Sequence, residues 1–249
     1  MKKEFYLIAF SIFMYSANAQ VSKNTTSLSQ VWAGYFNQTR INKKIGFWLD
    51  VQIRTKDNLF DSLVTLVFRP GITYYITDNT RATAGYAYMN HFPADHPGTI
   101  SQPEHRFWQQ LQWTDNYAKA RLTQRIRLEE RFRRKFISPE ELADDYFFNY
   151  RIRYNLGLQV PLTGNAYKKG SLSLIMSEEI MVNFGKQVVY NYFDQNRLLI
   201  GLNYNLNDNN TLFLGYMNQF QQLVTGNDYL VMHVLRFVYT QNLDFRKHH

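Results

Sequence analysis

The 249-residue sequence predicts an all-β fold, an antiparallel transmembrane β-barrel with a polar, arginine-rich lumen, and three observations predict it. From Leu28 onward, apolar and polar residues alternate with a period of two, segment after segment. After residue 20 no apolar run approaches the roughly 20 residues that a helical membrane span needs, so any crossing must use closed strands. The polar faces carry Arg and Glu in mid-strand, which the apolar interior of a soluble barrel would not tolerate.

The N-terminus reads as a leader. Met1-Lys2-Lys3-Glu4 is followed by an apolar stretch from Phe5 to Tyr15 and by Ser16-Ala17-Asn18-Ala19-Gln20. A basic start, a short apolar segment and small residues at −3 and −1 form a secretory signal peptide over 1–19, cut before Gln20. Gln20 is not Cys, so lipoprotein processing is excluded. The expected mature unit, 20–249, is one barrel domain. An exported chain with a barrel pattern is expected in the outer membrane of a Gram-negative bacterium.

Composition agrees. Cysteine is absent, so disulfides and thiolate chemistry are excluded, while 18 Tyr and 19 Phe suit strands. The formal charge is +8, and losing two lysines and one glutamate with the leader leaves +7. Export argues against nucleic acid as the partner. A basic lumen, contact with anionic lipid headgroups and a solvated basic surface remain as explanations.

Strands are expected at 28–38, 44–54, 62–75, 81–90, 104–115, 118–134, 146–160, 171–184, 195–206, 210–222 and 229–243. In the second, Ile45, Phe47, Leu49, Val51 and Ile53 alternate with polar residues or Gly and Trp; in the ninth, Leu198, Ile200, Leu202 and Tyr204 oppose Arg197, Gly201, Asn203 and Asn205. Tight breaks such as 77–80, 115–116 and 207–210 are rich in Asn and Asp. Looser ones are expected at 91–103, 135–145 and 223–228, as if short turns filled one rim and long loops the other. Eleven segments are read, yet bacterial single-chain barrels have even strand numbers, so 10–12 strands are expected, twelve favoured and ten the fallback. Trp113, Tyr74 and Tyr204 end apolar faces as interfacial girdles require. Leu235, Phe237, Tyr239, Leu243 and Phe245 give the last strand an aromatic finish of the kind read by the outer-membrane assembly machinery.

Several short motifs stand together: the leader end Ala17-Asn18-Ala19-Gln20, the opening hairpin Trp32…Arg40 and Phe47-Trp48…Arg54, the run Arg125-Ile126-Arg127-Leu128-Glu129-Glu130-Arg131-Phe132, and Arg151-Ile152-Arg153-Tyr154 before Pro161-Leu162. On these the chain resembles domain of unknown function family 2490, uncharacterised bacterial outer-membrane β-barrels. The resemblance implies fold and location and brings no activity.

One constellation carries chemistry. Lys119, Arg121, Arg125, Arg127, Glu129, Arg131, Arg133 and Lys135 occupy alternate positions and leave one face of a strand. The next strand adds Arg151 and Arg153. A hairpin centred near residue 140 would set Glu129 opposite Arg151 and Arg127 opposite Arg153. The site residues are therefore a lumen-facing charged stripe: Arg121, Arg125, Arg127, Glu129, Arg131, Arg133, Arg151 and Arg153. Glu179 and Asp50 are expected as further counter-charges, and Arg133, Arg134 and Lys135 as contacts to lipopolysaccharide. Ile126, Leu128, Ile152 and Tyr154 are expected to face lipid.

Catalytic signals are missing. His91 and His96, near Asp95, fall in an expected loop and read as solvated, and no Ser stands in a nucleophile setting. No catalytic residue, metal site or cofactor is assigned. The expected function is a structural or surface-interaction barrel braced by lumenal salt bridges. The alternative is a passive, porin-like channel for small, anionic solutes, and a lipid-modifying barrel enzyme stands third. Expected partners are membrane lipid, lipopolysaccharide and the assembly machinery; the oligomeric state is open.

Overall fold

The computed structural model describes residues 23–56, 62–93, 100–163 and 168–246. The leader at 1–19 with its cut before Gln20 lies outside them, as do Asp95, His96, Pro97, His248 and His249.

Every segment read from the alternation is a strand: β1 (Asn24–Arg40), β2 (Ile45–Lys56), β3 (Ser62–Tyr75), β4 (Thr80–His91), β5 (Gln102–Tyr117), β6 (Ala120–Ser138), β7 (Glu141–Pro161), β8 (Leu172–Phe184), β9 (Phe193–Asn205), β10 (Asn210–Gln222) and β11 (Asp228–Asp244). Consecutive strands pair antiparallel, and β11 returns to β1, closing a barrel. The closing pair is parallel, in continuous register from Asn24↔Asp228 to Arg40↔Asp244.

That pair corrects the strand count. The described barrel has eleven strands, neither twelve nor ten. The even-number expectation presumes that first and last strands meet antiparallel. With an odd number both run the same way, and a parallel ladder still pairs their edges, with slanted bonds that are slightly weaker per residue. β1 begins at what we term the upper rim, and β11 ends at the lower.

The two-rim division also needs correction. The expected loop at 135–145 is mostly ladder: β6 runs to Ser138 and β7 starts at Glu141. Two register irregularities beyond Arg134 and cross-strand ion pairs, Arg134 to Asp144 at 3.4 Å and Lys135 to Asp145, carry this hairpin to a two-residue tip at the upper rim. Conversely, β7 ends at Pro161 and β8 starts only at Leu172, the widest sequence separation between consecutive strands at the lower rim.

Alternation sorts the faces as expected. Ile45, Phe47, Ile53, Ile72, Ile126, Ile152, Tyr154, Leu198 and Ile200 are exposed on the outer wall, while Asp50, Gln52, Arg69, Arg127, Glu129 and Arg151 are buried inside. Aromatic rings form contact chains on the outer wall near the upper rim. One runs Tyr86, Phe107, Phe132, Phe148, Tyr150, Phe184 across β4 to β8, and another Phe193, Phe220, Tyr229 across β9 to β11. The wall has polar interruptions that partner one another. Asn196 donates to the Glu178 carboxylate, and the Tyr154 hydroxyl to Gln124 at 2.7 Å.

Glycine pairs let aromatic side chains lie on the inner wall. Gly71 and Gly85 face each other across β3 and β4, and Trp108 rests on them. A Cβ on Gly85 would stand 2.2 Å from the Pro70 carbonyl and 2.9 Å from the Trp108 ring. Gly201 and Gly215 seat Phe213 in the same way. Pro70 has no N–H to give, and the β3–β4 ladder skips Arg69 and Pro70.

Toward the lower rim the interior is filled. Gln38 donates to the Tyr75 hydroxyl (3.1 Å) and Thr73 (3.3 Å), the Thr73 and Thr83 hydroxyls bond at 3.0 Å, and Asn205 donates to Ser171 at 2.7 Å. All six residues are buried.

Candidate functional site

The upper and middle lumen is built from the inward positions of β1 to β11, where alternation places Arg and acids opposite the apolar outer face. Glu129 and Arg151 are register partners, as are Arg127 and Arg153, in agreement with a hairpin centred near 140. Arg151 donates to Glu129 Oε2 from Nε (3.0 Å) and Nη2 (2.5 Å), and Arg153 Nη1 donates to Oε1 at 2.8 Å. Arg106 Nη1 reaches Oε2 at 3.4 Å.

From this hub the network runs both ways. Arg153 also donates to Glu179 at 2.7 and 3.1 Å, and Arg125 joins the same carboxylate at 2.6 Å. Arg151 Nη1 donates to Asp194 at 2.8 Å. Arg106 donates to Glu104 at 2.8 and 3.0 Å, Arg131 at 2.7 Å, and Arg133 lies 3.6 Å from it. Asp50 holds Arg69 at 3.1 Å. The carboxylates are almost completely buried, and a charge in such a place is tolerable only with partners and hydrogen bonds of this kind.

Of the stripe read from the sequence, Arg125, Arg127, Glu129, Arg131, Arg133, Arg151 and Arg153 meet in or beside this network. Arg127 donates twice to Gln110 (2.6 and 3.0 Å), lies 4.8 Å over the Trp108 ring and is 3.8 Å from Glu129. Arg121 stands apart near the lower rim, bonded to Asn116 at 2.9 Å. Glu179 and Asp50 serve as the counter-charges expected of them. Arg134 and Lys135 pair with Asp144 and Asp145, while Arg133 turns inward to Glu104.

The sequence reading missed Glu104, Arg106, Asp194, Arg197 and Arg236 as site members. Parity alone would have aimed Glu104 and Arg106 inward with Trp108, and Arg236 inward between Leu235 and Phe237. His91 is likewise not a solvated loop residue. It ends β4, half-buried, with Nδ1 3.3 Å from the Thr65 hydroxyl and Nε2 3.0 Å from Glu104. It stays there because the neighbouring strands supply an acceptor and a hydroxyl at its height.

A cavity of about 520 Å³ occupies the lumen above the bonded residues of the lower rim; Gln38, Thr73, Tyr75, Thr83, Ser171 and Asn205 do not line it. Among the described residues eleven arginines line it, and of the described acids only Asp50 and Glu179 do. Three of these arginines, Arg54, Arg197 and Arg236, surround Trp32, their guanidinium carbons 3.7, 5.1 and 6.0 Å from its ring centre. Beside them, Leu199, Met217, Leu230 and Met232 pack against the same Trp32 and give the cavity an apolar stretch of wall.

No curated protein matches the sequence. Residues 29–230, from within β1 to the start of β11, match the model of a protein family of unknown function, so the network-bearing strands lie within the matched region. The chain belongs to that family, DUF2490.

Proposed function

We propose that the protein is an outer-membrane β-barrel whose lumen is closed by its salt-bridge network, serving a structural or surface-interaction role and not as a through-channel. The observation that carries this is the set of buried, hydrogen-bonded side chains toward the lower rim, Gln38 with Tyr75 and Asn205 with Ser171, below a continuous Glu104–Arg106–Glu129–Arg153–Glu179 chain.

The membrane reading draws support from the outer wall. The Leu172–Phe184 strand gives about 40 Å at about 3.3 Å per residue. At a tilt of about 40° that projects to about 30 Å, enough for an apolar band of about 25 Å. Export through the leader at 1–19 belongs to the same proposal, as do lipid and lipopolysaccharide as surroundings and the assembly machinery as a transient partner. Catalysis is not part of it. The Thr65–His91–Glu104 line has relay order, but Arg106, Arg131 and Arg133 neutralise Glu104, leaving little charge to stabilise an imidazolium.

A second reading, an anion channel, is favoured by the surplus of arginine around the cavity. Planar-bilayer recording on purified protein separates the two. The closed-lumen proposal expects no unitary conductance. Anion-selective steps, weakened when Arg125, Arg127, Arg151 and Arg153 become Gln, would overturn it. Fractionation tests location: the proposal expects recovery with the outer membrane and heat-modifiable migration, and a soluble periplasmic protein would refute it.

A further inference from the structure

From the cavity's charge and shape we infer that it is a binding site for a small organic oxyanion, with a phosphate or carboxylate group held by Arg54, Arg197 and Arg236 and an apolar part against Met217 and Met232. The site goes beyond the closed-lumen reading and does not require it.

The argument starts from unequal pairing. Each buried lumenal carboxylate among the described residues is already taken: Glu104, Glu129 and Glu179 by two or more arginines each, Asp194 by Arg151, Asp50 by Arg69. Among the described residues, Arg54, Arg197 and Arg236 have no carboxylate within 4.0 Å. Arg54 and Arg197 each spend one nitrogen on a glutamine, Gln52 (3.0 Å) and Gln195 (2.8 Å). The Nε atoms of all three are buried and make no hydrogen bond. Three cations gathered on one indole repel one another, and the strand wall around them screens that repulsion less than open water would. An oxyanion supplies what this arrangement needs, a negative charge and several acceptor lone pairs, and arginine's planar fork suits phosphate and carboxylate.

The apolar side sets the rest of the ligand. Leu199, Met217, Leu230 and Met232 line the same cavity, and about 520 Å³ falls in the range of small-molecule sites. Methionines adapt to varied apolar shapes, which fits a short alkyl or ring substituent. Membrane lipid is a poor source of the anion, because the closed strand wall leaves no lateral path for acyl chains from the bilayer to the lumen.

The test is calorimetric titration of the whole protein in zwitterionic detergent at constant ionic strength, with butyl phosphate, butyrate, inorganic phosphate and butylammonium as probes. Saturable binding of butyl phosphate or butyrate is expected, with inorganic phosphate weaker and butylammonium silent. In Arg54→Gln/Arg197→Gln the dissociation constant should rise at least tenfold. Met232→Gln should weaken butyl phosphate and leave inorganic phosphate unchanged. Should the arginine variant fail to fold, the parent decides alone. Equal binding of butylammonium and butyl phosphate, or no saturable binding of any anion, overturns the inference, as does full affinity in the folded arginine variant. Unitary conductance in the bilayer experiment would sink the closed-lumen reading and leave this site standing.

Discussion

Arg151 on β7 stands directly opposite Glu129 on β6, and two of its guanidinium nitrogens close on a single carboxylate oxygen. Arg153 takes the other oxygen. Glu129 thereby takes two arginines of the facing strand and is also reached from β5 by Arg106.

Removing that acid should cost more than removing an isolated pair. Glu129→Gln leaves Arg151, Arg153 and Arg106 facing a neutral amide, and about 3–5 kcal/mol of stability should be lost. Asp50→Leu combined with Arg69→Met, which removes a carboxylate together with its arginine, should lose clearly less. Urea unfolding of the refolded barrel followed by tryptophan fluorescence measures both; equal losses would mean the charges contribute no more than their packing.

Leu128 lies one position from Glu129 and faces the other way. Leu128→Arg should cost about 2–4 kcal/mol in lipid vesicles if the residue sits near the bilayer midplane. Arg127→Leu should leave the outer wall unaltered. A Leu128→Arg protein as stable as the parent would show that this face does not meet lipid.

The seat of Trp108 can be probed by one methyl group. In Gly85→Ala the new Cβ meets backbone at 2.2 Å, so β3 and β4 must part and the indole must move. A loss of about 1–3 kcal/mol is expected, as for an overpacked core. A shift in tryptophan emission should accompany it. Unchanged emission and melting would mean that the two glycines are not in contact.

The lower rim should be acid-sensitive. A hydrogen bond from Arg40, at 2.7 Å, and the charge of that guanidinium hold Asp78 below its ordinary value. A carboxyl depressed in the folded state stabilises fully above its unfolded value, about 3.9, and loses that contribution as pH falls through the lower folded one. Amide exchange at 76–80 should therefore be flat from pH 7 to about pH 5, after correction for intrinsic rates, and rise in protection loss below about pH 4. Asp78→Asn should abolish the change. Asp78 is largely exposed, so the effect is confined to the turn and will not unfold the barrel.

The alternation made the strands legible because apolar side chains form the outer wall and polar ones the lumen, a contrast that repeats every second residue along most strands. The Glu129–Arg151 register was legible too, since a hairpin's centre fixes its ladder. What was hidden is what closure decides. Arg54, Arg197 and Arg236 lie far apart in sequence and meet at Trp32 only through the curvature and stagger of the whole sheet. The strand total was misjudged for a related reason. Alternation counts segments correctly but carries no signal for how the first and last of them join.

The parallel seam fixes how this architecture can be rewired. The ends of β1 and β11 that a linker would have to join lie a full 17-residue strand apart, about 56 Å at about 3.3 Å per residue. A circular permutant made by fusing them through a short turn is geometrically barred, although even-stranded barrels admit that operation. Lengthening the sheet by whole hairpins preserves the seam, whereas adding or deleting a single strand reverses the polarity at the join. Diversification of this barrel by duplication should therefore proceed in steps of two strands.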